Sequence, residues 1–282
     1  MIEIADLVKK YKDFELNVSL SIPEGRISGL IGKNGAGKST TIKAILGLIR
    51  KDGGSVRVFG KDPRELTGEE KQKIGVALAE SGFSGYLNAD VVAKILKNMY
   101  ARFDEALFRK RCDEFRLPLN KPIREFSTGM KAKLRVLTAL SVNAELLVLD
   151  EPTAGLDVEA RNEILDMLRK YMEERPETSV LISSHISSDL ENLCDDVYLI
   201  DGGKLILHED TDVILSQYAV LKCDEETYPM LDQNYLLKTV KEKFGYRCLT
   251  KEKQFFQENY PGLVIERAGI DDLILMLTGG KK

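Results

Sequence analysis

The sequence predicts an α/β chain built around a mainly parallel sheet, and two observations carry that expectation. Short continuous apolar runs at residues 146–149 and 179–183 flank a stretch of helical periodicity at 158–172. Apolar strands alternating with helices signal a parallel sheet covered on both faces. A glycine-rich loop stands between an apolar run at residues 26–31 and a helical stretch at 39–48, the order strand, loop, helix.

The elements follow in order. Residues 1–59 read as strands with little helix up to that loop, and residues 16–22 alternate apolar and polar strictly, the period of a half-buried strand. Residues 62–143 are mainly helical in pattern and richly charged, interrupted by a loop at 80–86. After the two apolar runs, residues 196–200 and 204–207 flank Asp201-Gly202-Gly203 as a hairpin. Past residue 210 lysine and aromatic residues rise and nothing repeats the first part, so a boundary is expected there. Phe255, Phe256 and Tyr260 read as the core of a small α+β unit, and the glycine- and lysine-bearing last four residues are expected to fray.

Bulk composition bounds the function. A length of 282 residues favours two domains, one large and one small. Hydrophobic residues at 43% and charged residues at 30% describe a globular chain. A net charge of -4 argues against nucleic acid as a partner. Cys112, Cys194, Cys223 and Cys248 lie far apart without a C-x-x-C spacing, which suggests neither a zinc site nor a disulfide framework. No window approaches the ~18 to 20 apolar residues of a membrane-spanning helix, so a soluble, cytoplasmic chain is expected.

Gly32-Lys33-Asn34-Gly35-Ala36-Gly37-Lys38-Ser39 matches the phosphate-binding pattern G-x-x-x-x-G-K-[ST] in the context that pattern requires. Its glycines let backbone N–H groups converge on phosphate oxygens, and the following helix turns its positive end toward the same anion. Lys38 is expected to reach the outer phosphates and Ser39 to ligate Mg²⁺. Leu146-Leu147-Val148-Leu149-Asp150-Glu151 is an apolar strand ending in two carboxylates. Asp150 suits the Mg²⁺ shell and Glu151 the activation of an attacking water. His185, at the end of a neighbouring strand, is placed to reach the γ-phosphate and orient that water, whereas His208 reads as structural. Phe126-Ser127-Thr128-Gly129-Met130 opens a helix with Ser127 as N-cap, and a serine hydroxyl at a helix tip also suits a second phosphate clamp. Lys131, Lys133 and Arg135 read as a solvated helix face.

Taken in this order, the motifs resemble those of the ATP-binding cassette (ABC) transporter ATPase subunits over about residues 1–210. The resemblance implies a P-loop NTPase (RecA-like) core with a mainly parallel sheet, an N-terminal antiparallel β subdomain, a helical insertion at about 82–143, and a small C-terminal α+β extension at 211–282. It implies ATP and Mg²⁺ as cofactors. Tyr11 stands where an aromatic stacks on adenine, and Gly32, Lys33, Asn34, Gly35, Ala36, Gly37, Lys38, Ser39 and Thr40 hold the phosphates. Ser127, Thr128, Gly129 and Met130 stand at the signature peptide, Asp157 in the D-loop, and His185 at the switch histidine. Two departures are evident: Thr128 and Met130 replace a glycine and the glutamine of the signature, and Glu80 stands where the Q-loop most often has glutamine, placing a carboxylate beside the metal.

In such subunits the signature of one chain covers ATP held by another, so a head-to-tail dimer with a copy or a related chain is implied. A separate transmembrane permease subunit is implied too, docking near residues 80–86 through Phe83, Tyr86 and Leu87, with the ATPase on the inner face of the membrane. The length and single cassette are most similar to bacterial exporter subunits. The alternatives are a soluble ABC ATPase of DNA repair, chromosome structure or translation, and a P-loop kinase or GTPase. Long coiled coils or paired cassettes, usual in the first, are missing from the sequence, and the serine-glycine peptide ahead of Asp150 speaks against the second.

Overall fold

The computed structural model describes residues 1–79 and 82–278. Strands β1 (Ile2–Lys10), β2 (Glu15–Ile22) and β3 (Ile27–Ile31) lead into helix α1 (Lys38–Ile45). There follow β4 (Gly53–Val58), the short helix α2 (Gly68–Lys71) and β5 (Ile74–Ala77). Helices α3 (Ala89–Met99), α4 (Glu105–Glu114) and α5 (Thr128–Leu140) come next. The chain then alternates through β6 (Leu146–Asp150), α6 (Val158–Glu174), β7 (Ser179–Ser184), α7 (Ser187–Glu191), β8 (Asp196–Asp201) and β9 (Lys204–Asp210). These nine strands form one sheet in the order β4-β1-β2-β9-β8-β3-β7-β6-β5.

The block β8-β3-β7-β6-β5 is parallel throughout, while β4, β1 and β2 pair antiparallel. This antiparallel part is continuous with the parallel part, because Asn17 on β2 pairs with Lys204 on β9. All of β6 and β7 is buried, as strands covered on both faces must be. Successive residues of β6 face opposite cores: Leu146 and Val148 pack with Ile42 and Ile45 of α1, and Leu147 and Leu149 with Val136 of α5 and Ile164 of α6. Each such buried side chain contributes roughly 1.5–3 kcal/mol. Strand β2 shows the expected alternation, every second residue buried.

Residues 62–143 are not wholly helical, since Ile74–Ala77 forms the edge strand β5 beside β6. Four residues are too few to show a period. Gly75 is there because α5 crosses closely: a β-carbon at this position would lie 2.4 Å from the Ala139 carbonyl oxygen. The solvated face expected for Lys131, Lys133 and Arg135 holds only for Lys131. Lys133 is buried, donating to the Phe115 carbonyl and pairing with Glu163 at 2.8 Å. Arg135 turns inward and donates to the carbonyls of Leu78 (3.0 Å) and Ala79 (2.6 Å). Both long stems lie along apolar surface with their heads on backbone oxygens.

Beyond β9 come α8 (Thr211–Gln217), β10 (Ala219–Cys223), β11 (Leu236–Glu242), β12 (Gly245–Thr250), α9 (Lys253–Asn259), β13 (Val264–Arg267) and α10 (Ile270–Thr278). The four strands form a second, antiparallel sheet in the order β11-β12-β10-β13. One face packs with Leu231 and Phe256, and Phe255 and Tyr260 are half-buried against them. Helix α10 instead buries Ile270, Leu273 and Met276 in the core that contains α5 and α6.

Candidate functional site

The site is built where β3, β6 and β7 end side by side. Strand β3 delivers the chain to Gly32, where only glycine fits, since a β-carbon would lie 2.2 Å from the Ile200 carbonyl oxygen. The loop closes at Gly37, whose φ of 118° is open to glycine and strained for other residues. Gly37 also caps α1, and no side chain caps that helix in its place. The first-turn N–H groups are therefore free of side-chain partners at the point where an anion is favoured.

Lys38 is buried and curls back over its own loop, donating from Nζ to the Gly32 carbonyl at 2.7 Å and the Lys33 carbonyl at 3.3 Å. Its ammonium lies 3.0 Å from Glu151 Oε1, an oxygen that takes no aligned hydrogen bond. Glu151 Oε2 meets His185 Nδ1 at 2.6 Å and accepts from the His185 N–H at 3.3 Å. One carboxylate thus stands between a cation and an imidazole.

Ser183, read from the sequence only as the end of an apolar run, organises both acids. Its hydroxyl donates to Asp150 Oδ1 at 2.6 Å and accepts from the Glu151 N–H at 2.9 Å. Asp150 is buried and Glu151 has a φ of 48°, a left-handed conformation uncommon for a residue with a side chain. The bend turns the Glu151 side chain out of β6 toward Lys38. Asp150 and Ser183 are register partners of β6 and β7, a pairing that the fold creates and the sequence does not signal.

A groove of about 420 Å³ runs along the loop, lined by Lys33, Asn34, Gly35, Gly37, Lys38, Ser39, Thr40 and Glu151 together with Tyr11 and Phe14. Gly32 and Ala36 are buried behind it. Tyr11 is half exposed, with its ring centroid 6.4 Å from that of Phe14 and 5.6 Å from Lys9 Nζ. Phe14 is a second aromatic that sequence reasoning missed, because one phenylalanine in a turn carries no pattern.

The structure does not bring the remaining expected residues to this groove. Ser127 and Thr128 are exposed and Gly129 and Met130 half-buried at the tip of α5, where Ser127 Oγ accepts from the Met130 N–H at 3.1 Å. Asp157 caps α6 by accepting from the Ala160 N–H at 2.8 Å. Glu80 lies outside the described residues. His208 stacks on Tyr198 at 3.9 Å and pairs with Asp196 at 2.8 Å, a packing role away from the loop. Asp189 on α7, also unforeseen, is wholly buried and accepts from Thr153 Oγ1 at 2.6 Å and from Arg161 Nε. It ties α7 to the chain just beyond Glu151. No helix among the described residues is long and apolar enough to cross a membrane.

Comparison with known proteins agrees with this geometry. The family profile described as ABC transporter matches residues 16–154. The chain is 28% identical to the ABC transporter ATP-binding protein YtrB of Bacillus subtilis, covering all of this chain (100%) and 99% of that protein. It is 34% identical to the lantibiotic transport ATP-binding protein SrtF of Streptococcus pyogenes, covering 75% of this chain and 92% of that one. A solved ATP-binding subunit of an ABC transporter superposes with a TM-score of 0.67 at 27% identity, covering 77% of this chain and 92% of the other. A phosphate loop, a strand ending in paired acids and a histidine on the acid beside the loop, together with these likenesses, place the chain in the family of ABC transporter ATP-binding subunits, as an ATPase.

Proposed function

We propose that the chain drives export through a separate transmembrane subunit, by closing over ATP as a head-to-tail dimer and opening on hydrolysis. The observation that carries the reading is the linkage of Lys38, Glu151 and His185 through one carboxylate at the mouth of the phosphate loop. In this reading the α1 N–H groups and Lys38 hold the phosphates, and Tyr11 with Phe14 flanks the base. Glu151 takes the proton of the attacking water and His185 keeps that carboxylate aimed.

The hydroxyl of Ser39 and the carboxylate of Asp150 are hard oxygen donors suited to Mg²⁺, and the buried Asp150 carboxylate has Ser183 on one oxygen only. These two residues would hold the ion. Mg²⁺, when bound, neutralises charge on the β- and γ-phosphate oxygens. Glu80, expected as a third contact, lies outside the described residues.

Dimer formation is supported by the position of Ser127 and Gly129 at an open helix tip, apart from the groove that holds Lys38. A second chain, a copy or a relative, supplies that tip to each groove. Docking of the permease is assigned to a groove of about 680 Å³ lined by Phe83, Gly85, Ile123, Arg124 and Leu134. Tyr86 stands beside it, 82% exposed with the Arg124 guanidinium over its ring at 5.2 Å, while Phe83 and Leu87 rest half-buried on the core. The ATPase then sits on the cytoplasmic face of the membrane. The division into a nucleotide-binding unit at 1–210 and an accessory unit at 211–282 belongs to the same proposal.

The name of SrtF, a transport ATP-binding protein for a lantibiotic, supports export as the direction. The test is purification of the chain from detergent-solubilised native membranes, followed by identification of what accompanies it. A stoichiometric membrane protein is expected, and recovery of the chain free of any membrane protein under conditions that keep it folded would count against the reading.

A further inference from the structure

The accessory sheet is tied to the helix that follows His185 through the start of α10. Helix α7 starts two residues after His185 and ends at Glu191, and the Glu191 Oε1 atom accepts from the Ile270 N–H, the first of α10, at 2.7 Å. A carboxylate at a helix N-terminus satisfies an otherwise unpaired donor and complements the dipole. Gly269 allows the approach, since a β-carbon there would lie 2.8 Å from the same oxygen. The start of α10 is itself anchored to the accessory sheet: Arg247 on β12 donates to Asp272 Oδ1 at 3.0 Å, and the Gly269 N–H donates to Asp272 Oδ2 at 3.0 Å.

The opposite side of α7 is fixed as well. Asp189 accepts from Thr153, two residues beyond Glu151, and from Arg161 on α6. Leu190, between Asp189 and Glu191, is wholly buried in the core that also takes Ile270, Leu273 and Met276 of α10. Helix α7 is thus braced between the end of β6 and the start of α10. His185, by contrast, is exposed and rests on Glu151 through its Nδ1 and its N–H, so its position follows that of the turn into α7.

We propose that Glu191 is a positioning residue for His185, and that through it the accessory sheet sets the rate of hydrolysis. The proposal rests on the reading of Glu151 and His185 as the hydrolytic pair. A shift of α7 when the Glu191 contact is lost moves the imidazole off Glu151, and small displacements at a reacting centre are costly. The nucleotide groove, lined by the turn between β1 and β2, the phosphate loop, the start of α1 and Glu151, does not include α7, so the effect falls on turnover and spares binding.

Steady-state ATP hydrolysis by the full chain tests this. Glu191→Ala is expected to lower kcat roughly 3- to 10-fold with KM unchanged. Glu191→Gln, which keeps the acceptor oxygen, is expected to restore most of the rate. In the double variant with His185→Ala, the Glu191 change should add nothing further, as for two residues acting through one step. Thermal melts of each variant accompany the kinetics. A Glu191→Ala protein with wild-type kcat, whatever its melting temperature, overturns the proposal, as does an equal loss from the Gln variant. His185→Ala at wild-type rate overturns the reading of the pair, and the proposal with it. His185→Ala slow beside Glu191→Ala normal removes the positioning role alone.

Discussion

The Lys38 ammonium and the Glu151 carboxylate stand 3.0 Å apart, both largely buried. The residue proposed to hold phosphate and the residue proposed to activate water are therefore paired with each other beside the groove in which a triphosphate is expected to lie. Glu151→Gln keeps the shape and removes the base. It should bind ATP and hydrolyse it roughly 10²- to 10⁴-fold more slowly, the range general-base catalysis contributes. Phosphate release under saturating ATP measures this, and size-exclusion chromatography should show the dimer accumulating. Undiminished turnover would remove Glu151 from the mechanism.

Lys38→Ala acts on binding. Hydrogen bonds to charged groups are worth about 1.5–3 kcal/mol, so ATP affinity should fall by roughly one to two orders of magnitude. Titration with a fluorescent ATP analogue reads it. The variant also leaves Glu151 Oε1 without its neighbouring cation, so its fold is not expected to gain stability in exchange.

Asp189→Ala tests the brace under α7. Asp189 is wholly buried and pairs with a partly buried Arg161. Removing one partner of such a pair leaves the other uncompensated, at a cost of about 3 kcal/mol. Urea unfolding should show the loss in its midpoint without a change of slope. A midpoint within error of wild type would mean that Arg161 finds another partner or water.

Burial pushes the Cys112 thiol up to about 12 and Cys223 up to about 11 from an ordinary 9.0, and raises Cys194 well above that value too. These folded-state values exceed those of the unfolded chain. The contribution to stability is complete below the unfolded thiol value and is lost as pH rises above it, because the unfolded chain then releases protons that the folded one retains. The urea midpoint should fall between pH 8 and pH 10. In the native protein at pH 8, Cys112, Cys194 and Cys248, all buried, should react with a thiol reagent much more slowly than in urea.

The local parts of the site were legible because each is short and self-contained. Gly32 to Ser39 declares a loop by its own glycines, and Asp150 and Glu151 announce a strand end by two acids after four apolar residues. What stayed hidden joins residues far apart in the chain. Ser183 with Asp150, Arg135 with Leu78 and Ala79, Thr153 with Asp189, and Glu191 with Ile270 are pairings made by sheet register and helix crossing. No periodicity records them. The edge strand Ile74–Ala77 is too short to show a period of its own, and no pattern within residues 211–282 records that the apolar face of α10 lies in the main core.

Ser127 offers a last prediction that separates a local role from a role between chains. Within the chain it is the N-cap of α5, its hydroxyl accepting from the Met130 N–H at 3.1 Å. Replacing a serine cap with alanine costs about 1 kcal/mol, whereas asparagine caps as well as serine. Ser127→Asn should therefore melt close to wild type and Ser127→Ala a few degrees lower. If the exposed hydroxyl also seals ATP held by a second chain, both variants should bind ATP as monomers yet fail to dimerise with it in a Glu151→Gln background. If capping is its whole function, Ser127→Asn should dimerise normally. Light scattering with and without ATP decides between them, and the asparagine variant is the informative one because its helix tip stays intact.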